Sequence, residues 1–103
     1  MWIMFVVPTP TPDGRTARDL YQYRVDRITP AMKESARGHG CRFHQAWYAD
    51  DGSSFYAIAQ WDSMEGARAF FDEWDIPDEP GEVAVPLEGE IGLATLAELT
   101  GGR

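Results

Sequence analysis

One cysteine, Cys41, stands in 103 residues, so no internal disulfide can hold this chain together. Such usage fits a reducing cytoplasm and leaves stability to packing alone. Cations are scarce too: nine Lys and Arg against seventeen Asp and Glu give a net charge of −8. Nucleic-acid binding needs clustered Lys and Arg to displace phosphate counterions, and an anionic membrane surface selects for the same groups. Neither is an expected partner. The opening apolar run, MWIMFVV, is only seven residues and has no basic segment ahead of it. It is too short for a signal peptide or a membrane span and reads as a buried strand. Glycine-rich phosphate loops and nucleophile elbows are missing. His39, Cys41 and His44 match no compact zinc spacing. No metal is therefore expected. What the chain has in quantity is aromatic side chains, 13% of its residues with four Trp, within one domain spanning residues 1–103.

Those aromatics concentrate in residues 43–61, FHQAWYADDGSSFYAIAQW. Two runs flank an Asp-Asp-Gly-Ser tetrapeptide, and Asp-Gly is a strong hairpin signal. Pairing across it sets Tyr48 against Phe55, Ala46 against Ala57 and His44 against Ala59. One face then carries His44, Ala46, Tyr48, Phe55, Ala57, Ala59 and Trp61. The other carries Phe43, Gln45, Trp47, Tyr56, Ile58 and Gln60. Antiparallel sheets usually show one apolar and one polar face, so apolar groups on both imply cover on both.

The remaining elements follow from periodicity and punctuation. Residues 2–7 read as a strand, stopped by the Pro-Thr run of residues 8–12. Asp13 or Thr16 can cap a helix whose apolar stripe is Ala17, Leu20, Tyr21, Ile28, Ala31 and Met32. Thr29-Pro30 either kinks it or starts a second segment, with Thr29 as cap and Pro30 in the first position. After the hairpin, Asp62-Ser63-Met64-Glu65 has the form of a capping box. It precedes a helix over 63–74 with Met64, Ala67, Phe70, Phe71 and Trp74 on one face. Residues 83–87 predict a last strand, at an edge because of Pro86. Residues 91–99 predict one more short strand or helix.

The order is β-α-β-β-α-β, the ferredoxin-like α+β arrangement with an antiparallel sheet. Helices on one face leave Phe43, Trp47, Tyr56 and Ile58 bare on the other, a patch too large for a soluble monomer. A homodimer through that face is the expectation, in the manner of a barrel shared by two chains.

At Ala59-Gln60-Trp61-Asp62-Ser63, and over residues 40–74 through G…YADDGSSFYAIAQWDS…AF, the chain resembles the dimeric α+β barrel superfamily, nearest the small antibiotic-biosynthesis monooxygenases. The resemblance implies a homodimeric barrel whose relatives include cofactor-free quinone-forming oxygenases, polyketide cyclases, haem-using enzymes and proteins with no known reaction. In the cofactor-free oxygenases an Asn four residues before the strand-end Trp, and a Tyr six residues after it, help bind and deprotonate a phenol. Trp61 occupies the Trp position, while Ala57 and Ala67 stand at the other two. Their mechanism does not carry over without other residues supplying those functions.

The small side chains Ala46, Ala57 and Ala59 leave space beneath the helices. Phe70, Phe71 and Trp74 either fill it as core or wall a cavity for a planar ligand. His44, mid-strand on that roomy face, is the candidate general base; the plain alternative is a His bonded to a neighbour. Tyr21 and Arg24, one turn apart, are the candidates to steady a developing anion, unless Arg24 simply pairs with a surface carboxylate. Tyr48, Trp61, Trp74 and Phe70 are the candidate substrate-stacking walls. His39 reads as a polar turn residue, and Asp72, Glu73 and Asp75 as a solvated face. The functional expectation is a cytoplasmic enzyme of specialised metabolism acting on a small aromatic or polyketide-like ligand by proton abstraction. That enzyme would use no organic cofactor. The alternative is a non-catalytic binding or accessory protein on the same fold, and a weaker third reading is a haem-binding member with either His39 or His44 as axial ligand.

Overall fold

The structure, a computed structural model, describes residues 1–92. Its elements run β1 (Trp2–Pro8), α1 (Ala17–Arg27), α2 (Pro30–Gly38), β2 (Cys41–Tyr48), β3 (Ser54–Trp61), α3 (Met64–Glu73) and β4 (Val83–Leu87). The four strands form one sheet in the order β2-β3-β1-β4, with every neighbouring pair antiparallel. This is the ferredoxin-like α+β fold. Most of the element expected over 91–99 lies outside the described residues. Among those described, no helix is long and apolar enough to cross a membrane.

The hairpin pairs as its sequence requires: Tyr48 with Phe55, Ala46 with Ala57, His44 with Ala59. Gly52 closes the turn with its N–H 3.0 Å from the Ala49 carbonyl, and it does so at φ +77°, a region that favours glycine. A bulge between Cys41 and Phe43 resets the register at the far end.

Helix starts are set by hydroxyls. Thr16 caps α1 through a reciprocal box: its side chain accepts from the Asp19 N–H at 3.0 Å, and the Asp19 carboxylate accepts from the Thr16 N–H at 2.9 Å. At Thr29-Pro30 a separate helix begins, with Thr29 accepting from the Met32 N–H and Pro30 in the first turn, so the second of the two readings of that step holds and the helices number three among the described residues. The third helix begins one residue later than expected. Ser63, not Asp62, is its cap, accepting from the Gly66 N–H at 3.1 Å. The Asp62 carboxylate is taken instead by Arg42, with Nε 3.0 Å from Oδ1.

Gly66 lies where the start of α3 meets the end of α2. A Cβ added there would collide with the His39 carbonyl oxygen. Gly66→Ala is therefore expected to destabilise by about 1–3 kcal/mol through overpacking, although Ala is the better helix former by about 1 kcal/mol. A urea midpoint that stays put or rises would count against this close approach.

Alternation along the strands sorts the sheet into two faces. Toward the helices point Ile3, Val7, Phe55, Ala57, Ala59 and Trp61, all buried. They belong to two hydrophobic clusters. Val7, Leu20, Ala17, Phe55 and Ala57 pack under α1. Met32, Ala59, Trp61, Ala67 and Phe70 pack under α2 and α3. The opposite face is a grid of three rows: Phe43-Gln60-Trp2-Leu87, Gln45-Ile58-Met4-Val85 and Trp47-Tyr56-Val6-Val83. It carries no charged side chain.

Candidate functional site

Between the two clusters the core does not close. On β3 the alternating inward residues are large at the ends, Phe55 and Trp61, and minimal in the middle, Ala57 and Ala59. Covering helices grip the ends, and a cavity of about 380 Å³ remains over the middle. That is at the small end of the range for ligand pockets. Its floor is Ala57, Ala59 and Phe5. Its walls include Arg24 and Arg27 from the end of α1, His44 from β2 and Phe70 and Phe71 from α3, and the segment after α3 closes one side with Glu79 and Glu82.

The aromatic wall is a packed unit. Phe71 stands edge-on to Phe5 at 6.3 Å and to Trp61 at 5.9 Å, and Phe70 lies 5.6 Å from Trp61. Trp61 is 2% exposed, and its Nε1 has no hydrogen-bond partner. Buried donors are nearly always paired, and leaving one unmet costs about 1–3 kcal/mol. The nitrogen itself is closed off, so a guest in the cavity does not reach it as the core stands.

The charged wall is built around Arg24. Its guanidinium lies over the Phe55 ring at 5.2 Å, and it joins none of the ion pairs among the described residues. Burial pulls its pKa down, opposed by the carboxylates of Glu82 and Glu79, but a guanidinium stays charged at any working pH. His44 opens onto the cavity, so its surface is exposed, while the surrounding walls hold bulk water back. Burial first, and the Arg24 charge second, push its pKa below the ordinary 6.5. Both causes disfavour the cation, so the imidazole is neutral at pH 7 and free to take a proton. Burial raises the pKa of Glu82, against the pull of Arg24. Glu79, with a side chain 5% exposed, is held by Arg15, Nη2 to Oε2 at 2.6 Å, which ties the segment after α3 to the connector before α1.

Of the side chains singled out from sequence, Arg24, His44, Trp61 and Phe70 line this cavity; Tyr21, Tyr48 and Trp74 do not. Tyr21 sits three residues before Arg24, a shift of about 4.5 Å along the helix axis, which takes it toward the turn of the hairpin. There its ring meets Tyr48 edge-on at 5.2 Å. The two are packing partners outside the cavity wall. Trp74 braces α2 against α3 instead: its Nε1 donates to Ser35 Oγ at 2.8 Å, and Ser35 donates to Glu73 Oε2 at 2.7 Å. His39 reaches the same Glu73 oxygen at 2.7 Å, so His39 and Glu73 are joined rather than merely solvated.

Sequence reasoning missed Phe5, Arg27, Glu79 and Glu82. Alternation with Ile3 and Val7 marks Phe5 as inward, and Arg27 repeats Arg24 one turn on. Glu79 and Glu82 follow a Pro-rich loop and carry no local signal. Burial raises the pKa of the Cys41 thiol, which keeps it protonated. Among the described residues no three His, Cys, Asp or Glu side chains converge as metal ligands would.

No protein-family model matches this chain. No curated protein matches it either. Among solved structures it is similar to that of Rv0793 from Mycobacterium tuberculosis, with a TM-score of 0.53 and 15% sequence identity over 88% of this chain and 98% of that one. At that identity the likeness is one of fold: a small α+β domain with helices on one face of an antiparallel sheet.

Proposed function

We propose that this protein is a small, homodimeric enzyme that works without an organic cofactor on an aromatic substrate held between the two halves of its core. The observation that carries the reading is the convergence of a neutral imidazole and, among the described residues, an unpaired guanidinium on one aromatic-walled cavity. His44 takes a proton from a phenol, or from carbon beside a carbonyl. Arg24 stabilises the phenolate or enolate that forms. The packed wall of Phe70 and Phe71, with Phe5 on the floor, gives the ring an apolar surface to lie against. The anion then cyclises or isomerises, or reacts with dioxygen so that a ring C–H becomes C=O and water leaves. Resemblance to the antibiotic-biosynthesis monooxygenases and the setting in specialised metabolism belong to this proposal, as does a reducing cytoplasm, suggested by the single thiol.

The apolar grid on the other sheet face supports the dimer. Trp47 is 47% exposed in the single chain and Val83 53%. From strand spacings the grid covers roughly 300 Å² in projection, a size at which apolar patches are often functional.

A second reading, a ligand-holding accessory protein, is favoured by Ala57 and Ala67, both buried and without polar function where the resembled oxygenases carry Asn and Tyr. Turnover separates the two. Incubation with a panel of phenolic and polyketide-like aromatics, followed by dioxygen uptake and product chromatography, is expected to reveal a substrate whose rate falls about 10²–10⁴-fold in His44→Ala. The acid limb of kcat/KM is expected below pH 6.5, because the His44 pKa is lowered. Binding without turnover favours the accessory reading, and an unchanged rate in His44→Ala removes His44 from the role of base.

A further inference from the structure

Charge is distributed unevenly in this chain. Net −8 overall, it nevertheless lines the cavity with five of its nine cations, Arg24, Arg27, Lys33, Arg37 and Arg42, and only three of its seventeen acids, Asp78, Glu79 and Glu82. Three of those cations are engaged elsewhere. Arg42 pairs with Asp62, Arg37 with Glu34 at 3.4 Å, and Arg27 donates to Tyr23 Oη and the Trp74 carbonyl, both at 2.6 Å. Arg24 has only the face of Phe55 beneath it. Of the carboxylates nearest to it, Glu79 is committed to Arg15, and Glu82, whose charged form burial disfavours, is the one a ligand carboxylate would have to displace.

We infer that the cavity selects an acidic ligand: a small planar aromatic bearing a carboxylate, whose charge is received by Arg24 while its ring lies against Phe5, Phe70 and Phe71. This deepens the proposed function and rests on its premise that the cavity admits an aromatic molecule. A guanidinium presents its donors as a planar fork that matches a carboxylate in two parallel hydrogen bonds. Held away from bulk water, that pairing gains strength. Five cations against three acids make the lining locally favourable to an anion within a chain of net charge −8.

The test compares a matched pair of probes, naphthoate and naphthamide, by tryptophan fluorescence and calorimetry on the full chain. The acid is expected to bind at least about tenfold more tightly than the amide at low salt, with a preference that shrinks as salt rises. Arg24→Met is expected to erase that preference and Arg24→Lys to keep part of it, with circular dichroism confirming the fold of each. Equal binding of the two probes in the native protein overturns the acid selectivity while leaving the aromatic cavity intact. Binding of neither overturns both readings. A preference that survives in Arg24→Met removes Arg24 from the role.

Discussion

Trp47→Asp is expected to turn the proposed dimer into an 11.6 kDa monomer. Trp47 stands at one corner of the uncharged grid, in line with Tyr56, Val6 and Val83. In a two-fold interface the substitution enters twice, once from each chain. Burying an unpaired carboxylate costs several kcal/mol per ion, and each 1.4 kcal/mol is about tenfold in affinity. Two such penalties weaken association by several orders of magnitude. Sedimentation at micromolar concentration reads the result directly. The native chain should sediment at twice the monomer mass and the variant at the monomer mass, with unchanged far-ultraviolet dichroism. A native chain that already sediments as a monomer would falsify the dimer, whatever the variant does.

A comparably large effect is expected inside the core. Phe55 is 1% exposed and is among the largest fully buried side chains among the described residues. It packs with Val7, Ala17, Leu20 and Ala57, and it carries Arg24 on its ring. Truncating such a Phe to Ala removes transfer energy and leaves a void, for a loss of about 3–5 kcal/mol. Domains of this size hold only about 5–15 kcal/mol in all. Urea unfolding should therefore show a midpoint collapsed toward low denaturant. Val25→Ala, on the exposed side of α1, should change stability by no more than about 0.5 kcal/mol. Similar losses at the two positions would mean that α1 does not pack as described. Phe55→Ala also removes the platform under Arg24, so ligand affinity should fall along with stability.

Much of this architecture was legible because local rules fix it. Hairpin register follows from one turn, and a single Asp-Gly placed six cross-strand pairs, Tyr48 through Phe43, against their observed partners. Thr16 and Thr29 sit where hydroxyl caps are needed. The slip at α3 has an equally local cause: Asp62 and Ser63 are both good caps, and a distant partner, Arg42, decided between them. The site was half legible for the same reason. His44, Trp61 and Arg24 lie on faces that alternation and helical pitch define. Tyr21 shares a helix face with Arg24, yet its axial offset carried it to Tyr48. Trp74 sits beside Phe70 and Phe71 in sequence, but its indole found Ser35 on another helix. Glu79 and Glu82 reach the cavity through a loop whose path depends on Arg15, sixty-four positions away from Glu79. No periodicity encodes such a contact.

The interior is divided into two knots of side chains, bridged above the pleated layer by Phe5 against Phe71 and by Arg27 on the Trp74 carbonyl. Proteins open locally at a lower cost than they unfold as a whole. Slackening at Met32 and Phe70 would widen the chamber while Leu20 and Val7 keep α1 seated, and those two bridges are what such a movement would have to loosen.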